Sequence, residues 1–377
     1  MIRILKESAF GLLVALFILL AVEGILRLGG VEPLHERTDP LVGFAGHSPL
    51  FVETRGEDGE PVYATATAKL DWFNYQQFPA RKSERATRIV CLGGSTTYGR
   101  PYDDRTSFCG WLRAFLPAVD PSRQWDVINA GGISYASYRV ARLMEEVVRH
   151  EPDLFIIYTG HNEFLETRTY ERLLGTPEFL RDLAALASRL RLYSLLSDVI
   201  YPSKEVLETE VDAVLDNSVG PEAYHRDDAM HGAVLEHFRI SLERMVRIGR
   251  ESGARIIFVT PASNIRDFSP FKAEPSAGLD PARVRQIDSL KQSVAEHLDR
   301  REHERAEVLA RQALAIDPRD AELLFLKGRA LLSLGKIEEA RRAFVAARDE
   351  DVAPLRALGP ISRIVTEVAV ENETGLV

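Results

Sequence analysis

Ile89-Val90-Cys91-Leu92-Gly93-Gly94-Ser95-Thr96-Thr97-Tyr98-Gly99 is an apolar run that ends in two glycines and sets one serine where a strand should give way to a helix. Two further segments repeat the pattern. Asn129-Ala130-Gly131-Gly132 follows the strand-like stretch Trp125 to Ile128, and Gly160-His161-Asn162-Glu163 follows Leu154 to Tyr158. Working outward, Thr87 to Leu92 reads as a strand, Phe108 to Leu116 as a helix, Arg139 to Val148 as a helix, His237 to Gly249 as a helix and Arg255 to Thr260 as a strand. Strands alternating with helices specify an α/β chain, a three-layer sandwich whose parallel sheet is covered on both faces. Ligands meet such a sheet at the carboxyl ends of its strands, so three small polar segments at successive strand ends mark one active-site rim. Ser95 is the candidate nucleophile on it.

The rest of the chain bounds what surrounds that sheet. Its 377 residues suffice for one large core plus an appendage, or for two modest domains. A net charge of -9 and the lack of a basic block argue against broad nucleic-acid binding, which depends on neutralising phosphates. Cys91 and Cys109 are too few for a disulfide scaffold and read as reduced structural thiols, with a bridge or a reactive thiol as the alternative. Arg3 and Lys6 precede an uncharged run from Ala9 to Val22, and apolar character resumes weakly at Ile25, Leu26 and Leu28. We expect residues 8–28 to form a single inner-membrane span with Glu23 near the far headgroups, a cytoplasmic N-terminus and a periplasmic or otherwise extracytoplasmic body. A cleaved signal or an interfacial helix is the alternative.

Trp72, Phe73, Tyr75 and Phe78 form an aromatic cluster read as part of a collar packed on the domain, or else as a carbohydrate-facing lip. From Ala321, the spacing of Leu324, Gly328, Leu331, Gly335, Ile337, Ala340, Phe344 and Ala347 fits a tetratricopeptide repeat, and Ala313 and Pro318 suit the end of a preceding unit. One full repeat reads as a structural or protein-contact module, with a dedicated groove for an envelope protein as the alternative. The expected organisation is an anchor or signal at 1–29, a collar at 30–84, the α/β domain at 85–280 with a helical insertion at about 168–230, a helical insertion at 281–352, and a return connector at 353–377.

These motifs resemble the SGNH or GDSL-type hydrolase superfamily, in particular membrane-anchored bacterial members that carry tetratricopeptide repeats. Gly93-Gly94-Ser95-Thr96 is similar to the first motif block, with Gly94 and Thr96 where many members have aspartate and leucine; the Asn129 segment is similar to the second and Gly160-His161-Asn162-Glu163 to the third. The resemblance covers residues 70 to 165 and 235 to 271, and the tail from Pro354 to Val377 is similar to the connector before the final block. It implies an SGNH hydrolase-like sandwich and serine-dependent ester chemistry that needs no cofactor and no metal. It gives Ser95 the nucleophile role and its N–H one place in an oxyanion hole. Counting along the loop after the second strand puts the second backbone donor at Ser134, with Gly132 as the nearby alternative, and Asn162 donates from its side-chain amide. Gly94 adjoins the nucleophile, and Asn129 reads as a clamp between loops.

Other residues carry weaker expectations. His161 sits beside Asn162 as a structural or substrate contact, with a base role as the alternative. His225, His231 and His237 show no metal-site spacing and read as surface or insertion positions. In the segment Thr260 to Phe271, Asn264 and Arg266 are candidates to hold an acyl or sugar oxygen, or else to brace the loop, and Arg356 either anchors the connector near the pocket or braces its turn. The expected activity is hydrolysis or transfer of an acyl group on an acylated small molecule or carbohydrate. The alternative is an inactive membrane-tethered scaffold that acts through its repeat. In the resembled family the base and its orienting acid lie in an Asp-x-x-His block near the carboxyl terminus. We therefore expect a parent chain that runs past Val377 and supplies them, with His161 as a substitute base or a naturally inactive relative as the alternatives.

Overall fold

The computed structural model describes residues 19–31, 49–165, 190–200, 222 and 224–377. The chain divides into two compact units, one made of Met1–Ser48 and Thr167–Asp212 and the other of Pro49–Glu166 and Ala213–Val377. In the first unit the described residues form a helix over 19–28 and another at Arg191–Ile200. The Glu23 carboxylate accepts hydrogen bonds from the Arg191 and Leu192 amides at 2.7 and 3.2 Å and so satisfies the open N–H groups at the start of that second helix. No helix among the described residues is long and apolar enough to cross a membrane. Most of the Ala9 to Val22 run lies outside the described residues, as does most of the insertion expected at 168–230.

The second unit opens with a three-stranded antiparallel sheet, β1 (Phe51–Arg55), β2 (Pro61–Thr65) and β3 (Gln77–Pro79), which is the collar. The main sheet follows: β4 (Ala86–Gly93), β5 (Gln124–Gly131), β6 (Leu154–Tyr158), β7 (Arg255–Phe258) and β8 (Gly375–Leu376), ordered β5-β4-β6-β7-β8 with every neighbour parallel. Between them run helices α1 (Ser95–Tyr98), α2 (Phe108–Val119), α3 (Ser137–Val147), α4 (Asp228–Ser252), α5 (Pro281–Asp299), α6 (His303–Leu314), α7 (Ala321–Ser333), α8 (Ile337–Asp349) and α9 (Gly359–Glu371). The two-residue period of a strand explains the layering. Val90 and Leu92 of β4 face one way, into a core shared with Ile128, Phe155, Ile157 and buried residues of α3, α4 and α9. Ile89 and Cys91 face the other way, against Cys109, Phe108, Leu112 and Leu116 of α2. Both cysteines are buried and free.

The helical hairpins α5 to α8 carry their own apolar clusters, one joining α5, α6 and α7 and one centred on α7 and α8. A Cβ at Gly328 would stand 2.6 Å from the Phe344 ring, so the repeat needs glycine there for α7 and α8 to close. α4 starts nine residues before the expected His237, because the Asp227 side chain caps its polar first turn by accepting from the Met230 N–H at 2.9 Å. His237, read as a surface position, is in fact buried beside the Tyr138 ring, because α4 turns that face onto α3.

Candidate active site

Sheet register brings the three motif segments to one level, since Gly93 pairs with Gly131 on one side and with Tyr158 on the other. The approach is close enough to require glycine: a Cβ on Gly93 would stand 2.0 Å from the Tyr158 carbonyl oxygen, and one on Gly131 would stand 2.4 Å from the Tyr98 nitrogen. Gly94 then caps α1, its carbonyl accepting from the Thr97 and Tyr98 amides at 3.0 Å each, and Gly99 at φ 110° ends that single turn. Ser95 is the first residue of α1 and is half-buried. Neither its N–H nor its hydroxyl has a hydrogen-bond partner among the described residues.

The turn after β5 separates the two proposed backbone donors. The Gly132 N–H donates to the Gly93 carbonyl at 3.0 Å, so the alternative oxyanion donor is already engaged in holding the turn. Ser134 stands at φ 60°, a left-handed conformation that usually falls to glycine, and its N–H has no partner among the described residues. Asn162 is buried, and its Nδ2 donates one hydrogen to the Tyr135 carbonyl at 3.0 Å. A Cβ on Gly94 would meet that Nδ2 at 2.7 Å, so the Asn162 amide lies between the immediate neighbours of Ser95 and of Ser134. Its second hydrogen has no recorded acceptor among the described residues.

Beneath this trio sits a network that sequence reading did not assemble. Asn129 is buried; its Nδ2 faces Asp104 Oδ1 at 2.7 Å and the Thr97 carbonyl at 3.0 Å, while its Oδ1 accepts from the Gly131 N–H at 3.0 Å. Gln76 of the collar places Oε1 on the Asn129 N–H at 2.9 Å and donates Nε2 to Asp104 at 3.0 Å. Arg113 of α2 closes the network with Asp104 at 2.7 Å. Burial pushes the Asp104 carboxyl up, but hydrogen bonds from Arg113, Asn129 and Gln76 outweigh it and hold the group below the usual carboxylate range. Asn129 thus hydrogen-bonds the end of β5 to the segment at 97–104. Gln76, Asp104 and Arg113 carry no periodic or glycine-rich signal of their own, and meet only because the register places them together.

Glu163 is fully buried, with Oε1 accepting from the Ser137 N–H at 2.9 Å and Oε2 from the Ser137 hydroxyl at 2.8 Å. Burial pushes its carboxyl up to about 7, against the opposing pull of the Ser137 hydrogen bonds and of His237. His161 directs Nε2 to the Ala262 carbonyl at 3.4 Å and packs edge-on against Tyr158, and burial pushes its imidazole below its ordinary range. After β7, Arg266 makes a two-pronged contact with Asp267 at 2.9 and 3.0 Å, and Asn264 Oδ1 accepts from the Asp267 N–H at 2.9 Å. Arg356 donates to the Asn264 and Phe268 carbonyls and lies over the Phe268 ring. All three side chains thus make contacts within or onto the loop after β7. Among the described residues no group of three histidine, cysteine or acidic side chains could hold a metal.

Residues 297–358 match the tetratricopeptide repeat family model. No curated protein matches the chain. In solved structures it is similar to a GDSL-like lipase from Bacteroides thetaiotaomicron, at 13% identity and a TM-score of 0.24, covering 50% of this chain and 55% of that one. It is also similar to an acetyl xylan esterase from Geobacillus stearothermophilus, at 16% identity and a TM-score of 0.25 over 77% of this chain and 96% of that one, and to an alpha/beta hydrolase enzyme from the metagenome of Lake Arreo, Spain, at 17% identity and a TM-score of 0.24 over 67% and 96%. The chain spans about half the length of the first of these.

Proposed function

We propose that this chain carries the nucleophile and oxyanion donors of a serine-dependent ester hydrolase or acyltransferase. One observation carries the reading: among the described residues, the Asn162 amide, with one hydrogen unoccupied, lies between the neighbours of Ser95 and Ser134, whose N–H groups are also unpaired. Attack by Ser95 Oγ on an acyl carbonyl forms the new C–O bond and drives charge onto the carbonyl oxygen, where these donors stabilise it. Collapse expels the alcohol of the ester, which takes up the proton removed from Ser95. Water, or a second alcohol, then releases the acyl-enzyme.

The base is the remaining requirement. β8 ends at the same sheet edge, with the Val377 carbonyl accepting from the Thr260 N–H at 2.7 Å and from its hydroxyl at 2.9 Å. In the same reading the substrate is an O-acylated carbohydrate outside the inner membrane, with residues 8–28 as the anchor. Fluorophosphonate trapping followed by peptide identification tests the nucleophile, on the 377-residue chain and on any longer product of its reading frame. Label on Ser95 supports the reading; label elsewhere, or none on either length of folded protein, removes it.

A second reading is favoured by the tetratricopeptide match at 297–358: a tethered scaffold whose repeat recruits an envelope protein. It expects Ser95→Ala to preserve the cellular phenotype and disruption of α7 and α8 to abolish it. Loss from Ser95→Ala alone would remove it.

A further inference from the structure

We propose that Glu163 is a positioning residue for the oxyanion site, tying the end of β6 to the turn after β5 and so fixing Asn162 relative to Ser134. This deepens the reading of Ser95, Ser134 and Asn162 as one site, and rests on it.

The geometry is a double grip. From β6, Asn162 holds the Tyr135 carbonyl at 3.0 Å, while its neighbour Glu163 holds both the N–H and the hydroxyl of Ser137 at 2.9 and 2.8 Å. The two points of attachment lie two residues apart in the chain, on either side of Ala136. Ser134, one residue before the first point, is held in the left-handed region at φ 60° with its N–H unpaired. A turn strained in this way persists only when its surroundings determine it. The Gly132 N–H on the Gly93 carbonyl fixes the start of the turn, and Glu163 fixes its exit.

Ser137 is the first residue of α3, and its N–H is one of the donors a helix leaves open. The N-cap, Ala136, has no side chain to receive such a donor, so the carboxylate from another element takes over that part. Glu163 and Ser137 are both fully buried, so water cannot replace the bond if the acid is removed. The carboxyl has no route to substrate through bulk solvent. Its effect on chemistry passes through the two donors it aligns.

Protonation does not undo the grip. With the acid neutral, one oxygen still accepts from the Ser137 N–H and the O–H of the other donates to the Ser137 hydroxyl, which reverses its own role. A glutamine makes the same two contacts, its oxygen accepting and its Nε2 donating. Glutamine should therefore work in this position and alanine should not.

The test uses the full reading frame, with turnover of a p-nitrophenyl acyl ester and amide hydrogen exchange over residues 132–137. Glu163→Ala is expected to lower kcat about 10- to 100-fold with little change in KM, the scale on which displacement of aligned groups slows catalysis. Exchange at 132–137 accelerates in the same variant, and Glu163→Gln restores both. If Glu163→Ala does not fold, Ser137→Ala removes half of the same tie and must show the same pair of effects, smaller. Unchanged kcat in the alanine variants, loss expressed in KM alone, or a glutamine variant as impaired as alanine overturns the proposal. If turnover does not depend on Ser95, the site reading falls; the positioning claim then stands or falls on exchange, and exchange at 132–137 unchanged by Glu163→Ala overturns it.

Discussion

Two regions of the sheet's carboxyl edge differ in what their polar groups are doing. At the ends of β4, β5 and β6, donors have no acceptor among the described residues: the Ser95 N–H, the Ser134 N–H and one hydrogen of the Asn162 amide. After β7, the loop's side chains and carbonyls are engaged with one another and with Arg356 of the connector. Arg266 is on Asp267, Asn264 caps the same turn, and Arg356 is on two loop carbonyls. Unpaired donors held by rigid neighbours are what oxyanion stabilisation needs, because nothing has to be broken when charge develops. Occupied ones make a scaffold.

The widest separation between the two regions is expected from Ser95→Ala and Arg266→Ala. The first should reduce ester turnover by about 10⁴-fold or more, as loss of a nucleophilic serine does elsewhere. The second should leave kcat, KM and melting temperature where they were, since its guanidinium is exposed and engaged only with its sequence neighbour. Steady-state kinetics of both variants in one assay checks this, and a rise in KM for Arg266→Ala would move the loop after β7 into the substrate site.

Asn162→Ala should come next, with a loss of about 100- to 1,000-fold in kcat, the usual cost of one oxyanion donor. A loss confined to KM would mean that the amide serves ground-state binding, which would blur the contrast between the two regions.

The clamp beneath the site should show its effect in stability. Asn129→Ala leaves the Thr97 carbonyl and Asp104 short of a buried donor, and we expect a loss of about 2 to 3 kcal/mol in denaturant unfolding. A variant as stable as the parent would show that Gln76 and Arg113 suffice to hold Asp104.

How much of this could be read from the chain follows from the range over which each signal acts. The strand ends were legible because apolar runs stop at glycines or small polar residues, and the glycine at the end of β4 answers to the 2.0 Å contact that a Cβ on Gly93 would make. Gln76, Asp104 and Arg113 were not, because each stands alone in its own segment; Asn129 meets Gln76 and Asp104 across 53 and 25 residues, and Arg113 joins only through Asp104 and Gln76. Glu163 stood inside a quoted motif, yet its partner Ser137 is 26 residues away. Counting puts the backbone donor at Ser134 and leaves Gly132 as the nearby alternative. Only the bond from the Gly132 N–H to Gly93 separates them.

His150 breaks the simple form of the contrast, because it too has unpaired polar atoms and yet belongs to no site. Both ring nitrogens are buried without a partner, and the ring is enclosed by Phe51, Tyr63 and Phe78, with centroids at 5.7, 4.3 and 5.5 Å. Burial, with Arg149 and Arg88 nearby, pushes its imidazole down to about 4 from an ordinary 6.5. The unfolded chain therefore binds a proton that the folded chain refuses between pH 6.5 and about 4. The contribution of a neutral His150 to stability is fully present above pH 6.5 and is lost as the pH falls through that window to about 4. His150→Phe, which fills the same aromatic cage without a titrating group, should flatten this part of the stability profile, measured by urea unfolding at closely spaced pH values against the parent. A parent and variant whose profiles run parallel from pH 7 to 4 would mean that the cage admits water to the ring. The difference from Ser134 is then access: unpaired donors at the rim can be reached by a ligand, and unpaired nitrogens under the collar can only be reached by unfolding it.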